Sequence, residues 1–263
     1  MRLIISIAIW VIGAILTIVL FLVVAFLSIV TFPFDKKRKI VNLPGFWWAS
    51  AIIGLNPYWK LQINGLKNID PHKAYVVVAN HQSLTDIFVL YKTHMQFRWV
   101  AREDLFKIPF AGWCLSLGKH IRLSRGQSGN LKKAYREMAD CLRDDISVLF
   151  FPEGTRSTSG KVNGFQNGAF KLAIKEKKPV LPIFIDGTKK VLSKGGRIFN
   201  TNVSGSLTVL PLIDTAGLQP RDFAYLRDSV HEKFKKMEHY IKSEEKLKLK
   251  AQEISKETLC ASE

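Results

Sequence analysis

The sequence predicts an α/β fold: a mostly parallel central sheet flanked by helices, preceded by an N-terminal transmembrane helix or helical hairpin. Three observations predict it. An uncharged apolar run opens the chain, five short β-branched runs follow at 74–79, 97–101, 147–151, 180–185 and 206–210, and helix-like segments at 86–91, 130–143 and 170–175 alternate with them. Parallel neighbours need a long crossover between them and a helix supplies one, so this alternation indicates a parallel sheet.

The opening run extends from Leu3 to Phe34 and is closed by Asp35, Lys36, Lys37, Arg38 and Lys39. Crossing the hydrocarbon core takes about 20 apolar residues, whereas a cleavable signal has an apolar region of roughly 7–15. An uncleaved anchor is therefore expected, as one tilted helix or as a hairpin turning at Gly13. The basic run after it outweighs Arg2 and puts the body of the protein on the cytoplasmic face. Trp47, Trp48, Tyr58 and Trp59 then gather in one short apolar stretch between prolines, a composition that suits either the headgroup level of a membrane or ordinary core. The expected organisation is an anchor at 1–34, a basic and aromatic interfacial segment at 35–59, one globular domain at 60–245 and a charged tail at 246–263. Phe223, Leu226, Val230, Phe234 and Met237 form an apolar stripe at helical spacing, so a packed helix should lead into that tail.

Composition narrows the function classes. The 263 residues are 47% hydrophobic and 23% charged, which excludes a disordered or collagen-like chain and allows one domain with an appendage. Lys and Arg total 39 against 22 Asp and Glu, and the charged tail is nearly balanced, so the excess lies on the body and calls for an anionic partner. The aromatics cluster beside the anchor rather than among the basic residues, which argues against nucleic acid and leaves membrane lipids or a phosphorylated substrate. Cys114, Cys141 and Cys260 are too few and too far apart for a disulfide framework or a zinc site; the first two read as small buried hydrophobes. The histidines show no metal-ligand spacing, and no metal is expected.

Two strand ends carry chemistry. In Asn80-His81-Gln82-Ser83-Leu84-Thr85-Asp86, an apolar strand leads into a turn and then a helix. On a continuous helix, positions five apart diverge by about 140°, but a turn allows His81 and Asp86 to meet. A carboxylate on one imidazole nitrogen fixes the tautomer and leaves the other as a general base; the alternative makes Asp86 a helix cap and His81 an ordinary turn residue. In Phe151-Pro152-Glu153-Gly154-Thr155-Arg156-Ser157, a buried strand delivers a carboxylate, a flexible glycine, a hydroxyl and a guanidinium suited to phosphate oxygens. Open α/β sheets bind ligands beyond the carboxyl ends of their strands.

These segments together resemble the glycerolipid acyltransferases, the family of 1-acylglycerol-3-phosphate acyltransferases. The first block resembles the family's NHxSxxD form of the HxxxxD motif and the second its FPEGTR motif. Gly118-Lys119-His120-Ile121-Arg122-Leu123-Ser124-Arg125 resembles the motif between them, and Val180-Leu181-Pro182-Ile183 the short fourth one. Ser124 stands where relatives often have Asp or Asn, Arg102 occupies a basic position of a further stretch, and Gln166 and Asn167 replace a basic pair. These departures bear on headgroup preference rather than on reaction type.

The resemblance implies an O-acyltransferase with a glycerolipid acyltransferase-like fold. His81, oriented by Asp86, would take the proton of a lysophospholipid hydroxyl as it attacks an acyl thioester. Glu153, Gly154 and Thr155 would help position the acceptor, and Arg156, Arg125 and Arg102 would neutralise its phosphate. The expected acceptor is 1-acyl-sn-glycerol-3-phosphate, giving phosphatidic acid. No cofactor is expected beyond the co-substrate, acyl-CoA or acyl-ACP, the thioester of acyl carrier protein. The alternatives are another acceptor, such as glycerol-3-phosphate, another lysophospholipid or a lyso-aminolipid, and a non-catalytic membrane-tethered protein that binds anionic lipid.

Overall fold

In the computed structural model, which describes residues 2–124 and 128–260, seven strands make one sheet: β1 (Trp59–Asn64), β2 (Val76–Ala79), β3 (Phe97–Arg102), β4 (Ile121–Leu123), β5 (Ser147–Phe150), β6 (Val180–Asp186) and β7 (Val203–Val209). Their order is β1-β7-β6-β2-β5-β3-β4. Every neighbouring pair is parallel except β6 and β7, which are antiparallel. The helices are α1 (Arg2–Val30), α2 (Pro44–Gly54), α3 (Asp86–Tyr91), α4 (Ala111–Leu117), α5 (Ser128–Arg143), α6 (Gly168–Glu176), α7 (Thr188–Val191) and α8 (Phe223–Cys260).

The five strands expected from β-branched runs all form. Two more appear at the sheet edges, where the pattern is weakest: β1 alternates Lys60, Gln62 and Asn64 with apolar residues, and β4 is three residues long. The all-buried β2 and β6 sit inside the sheet, because only a strand covered on both faces can be apolar throughout.

Alternate residues of β2 point into two different cores. Val76 and Val78 pack with α5, α6 and α8 through Met138, Phe170 and Phe234. Tyr75, Val77 and Ala79 pack on the opposite face with Val89, Leu90, Trp99 and Ile9 of α1. Half-buried Cys141 sits at the margin of the first of these cores, and half-buried Cys114 packs with Leu20, Val24 and Val41; burial raises both thiols, Cys114 to about 12.

The N-terminal run is one unbroken helix, and Gly13 lies inside it. The turn falls at 31–43 instead, so that α2 returns along α1 and the Trp48 indole N–H donates to Thr17 Oγ1 at 3.2 Å. Phe21 packs edge-on against Phe110 and Trp113, joining α1 to α4. Both ends of α1 are tied to the sheet domain. Near its start, Ser6 Oγ accepts the Phe199 N–H at 2.9 Å and the Trp10 indole N–H donates to the Arg197 carbonyl at 2.8 Å. Beyond its end, the Asp35 carboxylate accepts the N–H groups of Lys39, Ile40 and Val41. Lys37 pairs with Asp144 at 2.9 Å, and buried Arg98 donates to the Lys37 carbonyl. The outer side of α1 leaves Ile4, Ile7, Ile15, Leu22, Phe26 and Ile29 exposed. By length and composition this helix, with mean hydropathy 3.1, could cross a membrane.

His120, which reads in the sequence as a surface or packing residue, connects two strands. Its Nδ1 accepts the Trp99 backbone N–H at 3.0 Å, so the proton of the neutral ring is on Nε2. Burial, assisted by the Arg98 charge, pushes its pKa from 6.5 down to about 3. Between those values the unfolded chain binds the extra proton, so stability falls as pH drops from about 6.5 toward 3. His120→Asn, whose amide oxygen can still accept the Trp99 N–H, is expected to flatten that dependence by about 1.4 kcal/mol per pH unit, read as the difference between the two proteins in denaturant unfolding across the window. Gly187→Ala is expected to cost about 1–3 kcal/mol and to lower the melting temperature in detergent. Gly187 has φ +79°, and a Cβ there would lie 2.4 Å from the Ser204 carbonyl oxygen.

Candidate active site

The ends of β2 and β5, neighbours in the sheet, bring the two chemistry-bearing segments together. After β2 the chain turns through 80–85 into α3, and Asn80 closes the strand: its amide donates to the Ile185 carbonyl at 2.8 Å and accepts the Ile185 N–H at 2.7 Å. In the turn, His81 Nδ1 lies 2.7 Å from Asp86 Oδ2. The same oxygen accepts the N–H groups of Gln82 and Ser83 at 2.7 and 2.9 Å. Asp86 has 0% exposure. Capping the turn and holding the histidine are thus one role of one carboxylate. An ionised carboxylate can only accept, so Nδ1 carries the proton and Nε2 keeps its lone pair.

Ser83 does not cap α3 simply. Its hydroxyl donates to the Leu192 carbonyl at 2.6 Å and accepts from Thr85, tying the turn to the segment before β7.

The imidazole is also held flat. Its ring stacks on Phe151 at 3.9 Å between centroids and 14° between planes, and Phe151 stacks in turn on Trp99. Glu153 joins the two segments: one carboxylate oxygen accepts the His81 backbone N–H at 2.8 Å and the other the Asn163 N–H at 3.0 Å. Burial pushes this carboxyl above its ordinary value, partly opposed by those two hydrogen bonds. The His81 carbonyl accepts the Ser157 N–H at 2.8 Å. Gly154, at φ +69°, takes the left-handed conformation that the turn between them requires.

The remaining candidates fall in different places. Thr155 Oγ1 and the Arg156 carbonyl both accept from Lys194 Nζ, at 3.2 and 2.9 Å. Arg156 lines a pocket with Leu84, Leu192 and Arg197. Arg102, at the end of β3, is 63% exposed and forms a bidentate pair with Asp104. Arg125 lies outside the described residues. Among the described residues no group of His, Cys, Asp or Glu could hold a metal ion.

An apolar cavity of about 640 Å³ adjoins the site. Leu84 and Thr85 of the histidine turn, and Trp99 behind Phe151, line it; His81 itself stands just outside its wall. The long side is α1 from Ile9 to Val24, about 22 Å of helix at 1.5 Å per residue, faced by Trp48 and Ile52 of α2. Sequence reasoning missed Lys194 as part of the site and α1 as a cavity wall, and it gave no role to Asn80 and Phe151, the first residues of the two motifs. No local pattern reveals these contacts, because each spans strands or helices far apart in the chain.

Comparison with known proteins agrees with this geometry. The Acyltransferase family model matches residues 60–186. A 1-acyl-sn-glycerol-3-phosphate acyltransferase of Chlamydomonas reinhardtii is 35% identical over 68% of this chain and 54% of its own length. The alpha form from mouse is 33% identical over 65% of this chain and 61% of its own. The chain spans about half the length of the curated relatives it matches. The crystal structure of PlsC from Thermotoga maritima, a 1-acyl-sn-glycerophosphate (LPA) acyltransferase, superposes with a TM-score of 0.79 at 28% identity, covering 92% of this chain and 98% of that one. Sequence and fold lead to the same conclusion: residues 60–186 of this chain build an Acyltransferase-family domain.

Proposed function

We propose that this protein transfers a fatty acyl group from an acyl thioester to the free hydroxyl of a lysophospholipid, 1-acyl-sn-glycerol-3-phosphate, giving phosphatidic acid. The observation that carries the reading is the His81–Asp86 pair beside a long apolar cavity. The pair occupies Nδ1 and leaves Nε2 as the basic nitrogen, and the cavity takes the length of an acyl chain. The names of the relatives support the choice of acceptor.

In this mechanism His81 Nε2 removes the acceptor's hydroxyl proton while the oxygen attacks the thioester carbonyl carbon. The C–S bond then breaks, and the imidazolium returns its proton to the departing sulfur, releasing a free thiol and an ester. Asp86 keeps the ring in the required tautomer and stabilises the imidazolium. Phe151 holds its plane. No acyl-enzyme is formed and no cofactor is needed; the thioester of CoA or of acyl carrier protein serves equally in the chemistry.

The hairpin of α1 and α2 serves as the membrane attachment in this reading. Both ends of α1 are tied to one domain, so the hairpin lies along that domain with its exposed apolar side toward lipid. The basic run at 36–39 favours the cytoplasmic face, and the excess of basic residues suits an anionic leaflet.

The test is release of free thiol from a long-chain acyl-CoA, and from acyl-ACP in parallel, with lysophosphatidic acid and the detergent-solubilised full chain. His81→Ala is expected to lower the rate by about 10²–10⁴-fold; equal activity in both proteins overturns the role of His81. Ala14 lines the cavity, and Ala14→Phe is expected to shift the donor preference toward shorter chains in a chain-length series, with an unchanged profile counting against the cavity as acyl site.

A further inference from the structure

A second pocket, of about 590 Å³, borders the histidine turn at Leu84. Its polar wall is Arg156 and Arg197, and its apolar wall includes Leu3, Ile7 and Trp10 of α1. Trp10, Leu84 and Leu192 line both this pocket and the long cavity, so the two spaces meet beside the turn that carries His81. No acidic side chain lines the pocket. Among the described residues, neither guanidinium has a hydrogen-bond or ion-pair partner.

The loop that carries Arg197 is held from two sides. Lys194 Nζ grips Thr155 Oγ1 and the Arg156 carbonyl, and the Trp10 indole N–H holds the Arg197 carbonyl at 2.8 Å. Gly195, at φ +78°, makes the turn between them. Arg197 is therefore held in the wall that it shares with Arg156 by a contact through its backbone, and its side chain is exposed.

We propose that Arg197 is a second ligand of the acceptor's phosphate beside Arg156, for which the family resemblance already implies that role, with Lys194 as a positioning residue; the proposal rests on the acyl-transfer reading above. Two guanidinium groups without a neighbouring carboxylate match the oxygens and charge of a phosphate monoester, which carries close to two negative charges near neutral pH. A phosphodiester headgroup, with one charge, would leave one of the two unmatched, so the pair also favours lysophosphatidate over diester lysophospholipids. The wall from the lipid-facing helix selects an amphiphile over a soluble anion. The phosphates of the acyl donor share the same chemistry, so the experiment separates the two sources.

The full chain in detergent is compared as wild type, Arg197→Gln, Arg197→Lys and Lys194→Gln. Equilibrium binding of lysophosphatidic acid is measured without donor, and KM is measured for both substrates. Arg197→Gln is expected to weaken lysophosphatidic acid binding about 10-fold and to raise its KM, with kcat and the KM for acyl-CoA unchanged, the pattern of lost uniform binding. Arg197→Lys should recover part of the affinity, because the charge remains and the fork is lost. Lys194→Gln should raise the same KM without affecting the acyl-CoA value. Unchanged lysophosphatidic acid binding in Arg197→Gln overturns the proposal, and so does a rise in the acyl-CoA KM alone. If Arg197→Gln loses binding while the wild type transfers no acyl group, the pocket stands and the transfer reading falls. If the wild type transfers normally and Arg197→Gln is indifferent, the reverse holds.

Discussion

One carboxylate oxygen organises the centre of this molecule. Asp86 Oδ2 accepts from the imidazole of His81 and from two backbone N–H groups of the turn, in a place with no exposure to solvent. A buried charge is tolerated only where donors compensate it, and all of the donors on this oxygen come from the turn itself. Once it closes, the histidine has a single orientation. The stability of the strand-to-helix connection and the geometry of a base are therefore the same set of hydrogen bonds.

Glu153 extends that constraint to the neighbouring strand. Its two oxygens bind the backbone of His81 and of Asn163, and Ser157 binds back to the His81 carbonyl. The segment after β5 cannot shift without the histidine turn, and Phe151, at its start, lies flat beneath the imidazole. Parallel pairing of β2 with β5 puts both segments at the carboxyl ends of adjacent strands, which is where an open α/β sheet leaves room for a ligand.

The N-terminal helix is both a covering layer of the domain and an exposed apolar surface. Ile9 belongs to the core on one face of the sheet, while Leu3 and Ile7 stand exposed. Because α1 is tied to the domain at both ends, it forms the long wall of the apolar cavity and the apolar wall of the arginine pocket. Arg156 and Arg197 line a pocket with no acidic side chain, whereas Lys37, Arg102 and Arg143 are paired with acids.

Much of this is legible in the linear sequence, for a physical reason. Strands buried on both faces must be apolar throughout, so β2, β5 and β6 stand out; a helix facing lipid must lack charge, so α1 does too; and a base with its carboxylate five residues away announces a turn between strand and helix. The edge strands β1 and β4 do not stand out, because an edge needs only a half-apolar pattern or very few residues. By itself the sequence determined the fold class, the anchor-like helix, and the pair His81 and Asp86, since these follow from local composition and short spacing. Only the tertiary structure decided that α1 folds back along the domain, that Glu153 binds backbone, that Arg102 pairs with Asp104, and that Lys194 and Arg197 join Arg156. Each of those outcomes depends on contacts between segments distant in the chain, and such contacts are set by how the layers pack rather than by any residue's neighbours in sequence.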